Sequence, residues 1–481
     1  MGRTMKDEVL SAATRKNLFL SPEALEIIDS NGYPMEFVNT LLNALAKTSM
    51  FVTKQDVLDI LNGDQAIFQA SKTIAPKNKK QLDLSVIPGS DITGQSTCVG
   101  NIEDFAAYFR SRYALLKKII MKRTDFGVAM PIKRAMELGR DVSIVGMVYE
   151  KKVTKNGHVV ITVEDETGTC SAFISKDSPL INETFVNDEV VGLKGKPSSR
   201  GSLFIVNEVV RPDIPASHHW DPSDSVSSIA FISDVHCGSK TFLKPQWEKM
   251  IAWLKANAYD MDLDYIVMPG DVVDGIGAFP GQEEELEIMD IYKQYETLSN
   301  YLKEIPDHIK IVLHPGNHDA CRLAEPQPAL SEIFTKTFDS NIMMVGNPIN
   351  LKVEGRTVTS YHGKSIDDWI SGVQKLTYDD PLAVMKEMAV RRHLAPMYGQ
   401  RNALAPEKKD YLVMEEVPDI FVSGHVHGAG TMEYRGVKMI NASTWQSQTD
   451  YQKMHNFNPD PGIMPIVHLG TGRVIMKNFM K

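Results

Sequence analysis

The spacing of apolar residues changes character along the chain, and each change predicts a different kind of element. Between 19 and 62 they recur at three- and four-residue intervals, the period of a helix with one buried face. Ser21-Pro22-Glu23-Ala24 is a helix start, with Ser21 as cap and Pro22 in the first turn, and Leu25, Ile27 and Ile28 follow. Asn31-Gly32 stops that helix. Pro34 opens a second, carrying Phe37, Leu41, Leu42 and Leu45, and Thr53 caps a third with Val57, Leu58 and Leu61. This predicts a helical adaptor within 1–70. From 71 to 100 the period is lost: Lys72, Lys77, Lys79 and Lys80 punctuate a stretch of Pro, Gly, Ser and Thr that reads as a linker. Phe105, Tyr108, Phe109, Tyr113, Leu116 and Ile119 then mark a helix over 102–123, so 71–138 is taken as linker plus basic helix.

From 139 to 213 the period shortens to two. Runs at 142–145, 158–163, 170–174, 190–193 and 203–206, with turns at Gly157 and Gly168, predict five short strands and an OB-type barrel. Pro212, Pro215 and Pro222 mark the exit. In 214–481, short apolar strands end in Gly, Asp, His or Asn and alternate with helical stretches such as 244–257 and 284–303. That pattern predicts a layered catalytic domain with its chemistry at strand ends. The fold class expected is multidomain α+β: a small helical domain, an OB-type barrel and a C-terminal layered α/β domain.

Composition adds bounds. The 481 residues are 43% hydrophobic and 23% charged, which excludes a fibre or a largely disordered chain. Four cysteines, at 98, 170, 237 and 321, form no C-x-x-C pair, so zinc-finger spacing is absent and a reducing compartment is expected. The N-terminus reads as a poor signal peptide, and no apolar run reaches 18 residues, so no membrane partner is expected. A formal charge of −9 argues against a surface that coats nucleic acid everywhere, yet 101–140 holds nine Lys/Arg against four Asp/Glu. Arg110, Arg112, Lys117, Lys118, Lys122 and Arg123 could approach phosphates there, or form an ordinary solvated face. The predicted barrel has few aromatic residues for stacking on bases.

The chemistry lies in four motifs that follow strand-like runs in one order: Asp234-Val235-His236, Gly270-Asp271-Val272-Val273-Asp274, Gly316-Asn317-His318-Asp319 and Gly424-His425-Val426-His427. His362-Gly363 falls between the last two. Singly each is weak, and a buried histidine is commonly a hydrogen-bonded core residue. Together they supply carboxylate, imidazole and amide oxygen, a mixed N/O donor set for Mn, Zn, Fe or a similar ion. Asp234, His236 and His427 can serve one ion and Asn317, His362 and His425 a second. Asp271 is the best bridge because its carboxylate has two oxygens. His318 suits proton transfer to a leaving oxygen. Asp274 and Asp319 suit orientation of a histidine or a loop. Cys237 is a poor nucleophile among carboxylates, and Lys240 and Arg322 border these loops, where they could meet phosphate or solvent.

These motifs resemble the calcineurin-like metallophosphoesterase superfamily. The segments FISDVHCGSK, VMPGDVVDG, LHPGNHDACR and VSGHVHGAG, behind a helical N-terminus and an OB-like domain, more closely resemble the archaeal family D DNA polymerase small subunit. The resemblance covers 140–475 well and the N-terminal third loosely. It implies a C-terminal two-sheet α/β/β/α domain and a proofreading 3′–5′ exonuclease activity with two divalent ions, manganese first and zinc, iron or magnesium as alternatives. The implied metal ligands are Asp234, His236, Asp271, Asn317, His362, His425 and His427, with His318 as the catalytic histidine, helped by Asp271, Asp274 and Asp319. Implied partners are the large catalytic subunit, primer-template DNA and a single-stranded 3′ end, with a sliding clamp or primase reached through the assembly. The implied setting is the archaeal cytoplasm, at the nucleoid. The family's protein phosphatases read GDxxDR and GNHE, whereas Gly275 follows Asp274 and Asp319 follows His318 here, so an Arg for a phosphomonoester is missing from that place. Two alternatives are a phosphoesterase acting on nucleotides or RNA, and a non-catalytic polymerase scaffold.

Overall fold

The computed structural model describes residues 5–16, 18–30, 35–46, 50–63, 82–199, 203–454 and 457–481. Asn31-Gly32, Pro34 and the linker lysines Lys72, Lys77, Lys79 and Lys80 lie outside them. The chain divides into two compact units, Met1–Leu82 and Asp83–Lys481.

The first unit packs helices Met5–Arg15, Pro22–Ser30, Met35–Leu45 and Lys54–Gly63 around Val9, Ile28, Val38, Leu41, Leu42 and Val57. The Ser21 hydroxyl accepts the Ala24 amide (3.2 Å), and Thr53 and Asp56 cap the last helix reciprocally: the Thr53 amide donates to Asp56 (2.7 Å). Met5–Arg15 was not anticipated, because its buried face is mostly small (Ala12, Ala13) and gives a weak apolar period.

In the second unit, strands Val142–Val153, Val159–Asp165, Gly168–Ile174, Val190–Pro197 and Phe204–Val210 close into the five-stranded barrel that period-two runs predicted. Alternate residues such as Ile161, Val163, Ala172 and Leu193 fill it. The linker reading fails from residue 83 onward. Leu84–Val86 pairs antiparallel with Ile349–Val353 as a sheet edge, and Glu407 accepts the amides of Thr97 and Cys98 (3.0 and 3.3 Å). A three-residue strand among Pro and Gly carries no periodic pattern, so pairing with a distant partner decides it.

Helix Ile102–Met121, held by an Asn101/Asp104 capping box, sets Leu116 and Ile120 against the barrel and Tyr108 among residues of the C-terminal domain. Of the cations read there as facing either phosphates or solvent, Arg112 is fully buried. Its guanidinium pairs with Asp410 (2.8 Å) and bonds to the Pro396 carbonyl (2.5 Å). Arg123 is held by Asp125 (2.6 Å), while Arg110, Lys118 and Lys122 remain exposed. The helix joins domains more than it presents charge.

The C-terminal domain stacks two six-stranded sheets. One runs Ile342–Met344, Lys310–His314, Leu263–Pro269, Ser228–Phe231, Ile463–His468, Val474–Asn478; the first four strands are parallel. The other runs Ala429–Tyr434, Val437–Ala442, Ile420–Ser423, Arg356–Tyr361, Ile349–Val353, Leu84–Val86. Helices Lys244–Asn257 and Ile291–Leu302 cover the first sheet through Trp247, Leu254, Tyr295 and Leu298, and Ile366–Gly372 and Pro381–Arg391 cover the second through Trp369, Met385 and Met388. Phe231, Val267 and Val312 on one sheet and Val358, Val422 and Ile440 on the other are fully buried but belong to neither outer cluster, so they fill the space between the sheets. The result is a helix/sheet/sheet/helix sandwich: the strand-and-helix alternation predicted a layered α/β domain, and the two-sheet form is the one the resemblance implied. No described helix is long and apolar enough to cross a membrane.

Candidate metal centre

Each motif follows directly on a strand: Asp234 and His236 after Ser228–Phe231, Asp271 and Asp274 after Leu263–Pro269, Asn317 to Asp319 after Lys310–His314. His362 follows Arg356–Tyr361, and His425 and His427 follow Ile420–Ser423. Parallel strands of both sheets therefore deliver their C-terminal ends to one place. The chain then turns sharply: Asp234, His236, Asp271, His425 and His427 all have φ between +48° and +71°. That left-handed region costs about 1–2 kcal/mol for a residue with a Cβ, although Asp and His tolerate it better than most. Two glycines admit the close approach. A Cβ on Gly316 would collide with the Asp271 carboxylate, and one on Gly424 with Asp234 and Ser233.

The side chains fall into clusters sharing edges. Asp234, His236 and His427 bring one donor atom each together, and Asp271, His362 and His425 do the same beside them. His236 Nε2 lies 3.1 Å from His427 Nε2 and 3.9 Å from Asp271 Oδ2, and His427 Nε2 lies 3.4 Å from Asp234 Oδ1. Across the gap, His362 Nε2 is 3.3 Å from the same Asp271 Oδ2 and 3.0 Å from Asn317 Oδ1. One Asp271 oxygen thus lies within 4 Å of a histidine from each cluster. Spacings near 3.0–3.4 Å match the edges of a coordination shell with N and O donors about 2.0–2.2 Å from a divalent ion. The donor set fits such ions and lacks thiolate.

The remaining partners fix each ring. His236 Nδ1 donates to Asp274 Oδ1 (2.9 Å) and His362 Nδ1 to the Pro269 carbonyl (2.8 Å), so both Nε2 atoms are free to ligate. Gln446 and Gln282 hold Asp274 in turn (3.1 and 3.0 Å). Gln452 donates to His427 Nδ1 (2.9 Å), which leaves the ring proton on Nε2, where a cation would displace it. His318 Nδ1 donates to the Asp274 carbonyl and its amide to Asp271 Oδ1, both at 2.8 Å. A carbonyl only accepts, so Nε2 is the His318 atom left for chemistry. Asp319 accepts the Gly316 and Val272 amides and the Tyr295 hydroxyl at 2.8–3.3 Å, and so shapes the Gly316–Asp319 turn.

Electrostatics follow from burying carboxylates together. For His236, burial opposes the imidazolium, but the Asp274 hydrogen bond and the charges of Asp274, Asp271 and Asp234 outweigh it and push it up to about 9. His362 rises to about 10, again against burial, through Asp271 and Asp234. Burial lifts Asp319 to about 6, helped by the Asp271 charge. Asp271, despite burial, is held well below the usual carboxylate range by His362, His318 and His236. Three carboxylates buried together demand positive charge, which a divalent cation would supply.

The clusters open onto a cleft of about 630 Å³, also lined by Lys364, Asp367, Tyr378, Arg401, Phe279 and Phe457. Sequence reasoning missed these residues and Gln452, because none sits in a motif; only the fold brings them here. Asp367 contacts His425 Nε2 (3.3 Å) and Lys364 (2.7 Å). Cys237 is buried and its thiol is pushed up to about 12 by that burial, so it is no nucleophile. Lys240 donates to the Glu284 carbonyl (2.7 Å), and Arg322 is bound to Ser96, Pro326 and Glu407, so neither is presented to the cleft.

Comparison with known proteins identifies the two domains of the second unit. Residues 227–429 match the calcineurin-like phosphoesterase family, which implies divalent metal, and residues 142–212 match the OB-fold nucleic acid binding domain. The DNA polymerase II small subunit of Archaeoglobus fulgidus is 41% identical, over 98% of each chain. Those of Thermoplasma acidophilum and Methanothermobacter thermautotrophicus are 42% and 40% identical, over 79% and 82% of this chain and 78% and 83% of theirs. The chain belongs to the small-subunit family of archaeal family D DNA polymerase (DNA polymerase II), with an OB fold ahead of a calcineurin-like phosphoesterase domain.

Proposed function

We propose that the protein is the 3′–5′ exonuclease subunit of a two-subunit replicative polymerase, releasing nucleotides from a DNA 3′ end beside a large catalytic subunit. The observation that supports this most is the meeting of two donor clusters at one Asp271 oxygen inside an open cleft. Asp234, His236, Asp271 and His427 would hold one divalent ion, and Asp271, Asn317, His362 and His425 the other, with manganese the ion we assign. When bound, such ions lower the pKa of water and neutralise charge on phosphoryl oxygens. The protein's own part is positional. His318, steadied through Nδ1, delivers a proton from Nε2 to the departing 3′ oxygen as a water oxygen bonds to phosphorus and the bond from phosphorus to that 3′ oxygen breaks. Asp274 keeps His236 and His318 aligned, through its carboxylate and its carbonyl respectively. Asp319 holds the Asn317–His318 turn. The OB barrel and the exposed Arg110, Lys118 and Lys122 would guide the strand.

The test is degradation of end-labelled single-stranded DNA by the purified chain and by its complex with the large subunit. Shortening from the 3′ end that requires a divalent ion, and that His318→Asn slows by about 10²–10⁴-fold while bound metal is retained, supports the reading. A folded, metal-loaded complex that leaves the DNA intact refutes it. A chain that hydrolyses nucleotides or RNA but leaves DNA intact belongs instead to another class of dinuclear phosphoesterase.

A further inference from the structure

Among the described residues, one lysine and one arginine line the cleft, Lys364 and Arg401, beside Asp271, Asp274, Glu285 and Asp367. They differ in one respect. Lys364 is paired with Asp367 at 2.7 Å, and that carboxylate also takes the Tyr378 hydroxyl (3.0 Å) and faces His425. Arg401 is exposed, and its guanidinium meets no hydrogen-bond or ion-pair partner among the described residues. Its backbone is nonetheless fixed. Asp368, buried on the helix that follows His362, accepts the Arg401 amide with one oxygen (2.8 Å) and the Asn402 amide with the other (3.2 Å). Asn402 is tied to Glu325 (2.6 Å), which also takes the Tyr361 hydroxyl (2.8 Å) just before His362. A free guanidinium on a backbone anchored to the segment that carries a candidate metal ligand is a built feature, unlike a surface arginine on a loose loop.

We infer that Arg401 is the phosphate grip of this cleft. It would bind, through the paired donors of its guanidinium, the phosphodiester next to the scissile one on the incoming strand, and so determine specificity for a polynucleotide over a small ester. The inference rests on the exonuclease reading. The physical reason is the division of labour in the cleft: ions at the candidate ligands would serve the scissile phosphate, the neighbouring phosphate needs donors of its own, and Arg401 is a cleft-lining arginine without a side-chain partner among the described residues. Lys364, neutralised by Asp367, contributes little net charge. Asp368 acts as a positioning residue through Arg401.

The test compares Arg401→Ala, Arg401→Lys and Asp368→Asn in the complex with the large subunit, on a single-stranded oligonucleotide and on bis(4-nitrophenyl) phosphate, which has one phosphate and no neighbour. Arg401→Ala should raise KM for the oligonucleotide at least tenfold, with a much smaller change in kcat. The loss on the small diester should be several-fold less, and Arg401→Lys should recover part of the affinity. The salt dependence of oligonucleotide KM should also flatten by about 0.7 in log–log slope, one single-strand phosphate contact. Equal KM values for wild type and Arg401→Ala overturn the inference and leave the exonuclease reading standing. Equal losses on both substrates overturn it too, because they place the damage at the metal centre. A wild type that cleaves the small diester but no DNA sinks the exonuclease reading, and this inference with it.

Discussion

Asp271 carries the heaviest load of any residue. It is buried, sits in the left-handed region, presents one oxygen to both donor clusters and the other to the His318 amide. Asp274 and Asp319 beside it orient other groups. Asp274→Asn should therefore act through His236: losing the carboxylate partner of Nδ1 should weaken metal binding about 10–100-fold. Competition against a fluorescent chelator measures this, and affinity within twofold of wild type would show that Asp274 does not position the ring. The candidate ligands were legible in sequence because residues with one chemistry cluster into motifs at strand ends. Asp367, Gln452 and Arg401 were not, since each approaches from a loop or helix whose local sequence says nothing about the cleft. Arg112 misled for the opposite reason: a basic residue among basic residues looks solvated, and only Asp410, about three hundred positions away, shows it buried.

At the level of elements, strands and helices with a strong period were legible, and the joints between domains were not. Helix Ile102–Met121 was readable from its aromatics, but its role as a joint depends on the buried Arg112–Asp410 pair, with His393 on the same carboxylate (2.9 Å). Arg112→Met leaves that carboxylate without its main partner and should destabilise the second unit by about 3–5 kcal/mol. Denaturant unfolding reads this, and a change under 1 kcal/mol would mean that the pair is dispensable. The same joint sets an acid limit. Burial, with Arg112 nearby, depresses His393 to about 4 from an ordinary 6.5. The unfolded chain then binds the extra proton between those values, so this stability is present above pH 6.5 and is lost as pH falls toward 4. The full effect is about 3 kcal/mol. The fall in unfolding midpoint between pH 6.5 and 4 should be smaller in His393→Gln than in wild type, and an identical fall would remove His393 as its cause.

Across the whole molecule, two sheets with separate outer cores converge at one edge, and the positive-φ turns there place five acidic or imidazole side chains in a small volume. Hydrogen bonds such as Asp274–His236 and Asp319–Gly316 tie these loops to the fold, and the two sheets have hydrophobic cores of their own. Removing metal with a chelator should therefore leave the far-ultraviolet circular dichroism unchanged. It should still lower the melting temperature, because ligand at about 100 times its Kd contributes about 2.7 kcal/mol. Loss of secondary structure on chelation would show instead that metal is needed to build the fold. The claim on which the rest depends is that Asp271 joins two adjacent ions. Titration with Mn2+ followed by electron paramagnetic resonance tests it most directly. Wild type should bind two ions per chain and give a spin-coupled signal at saturation, and Asp271→Asn should abolish the coupling. A single bound ion, or two ions with uncoupled spectra in the wild type, would contradict the account.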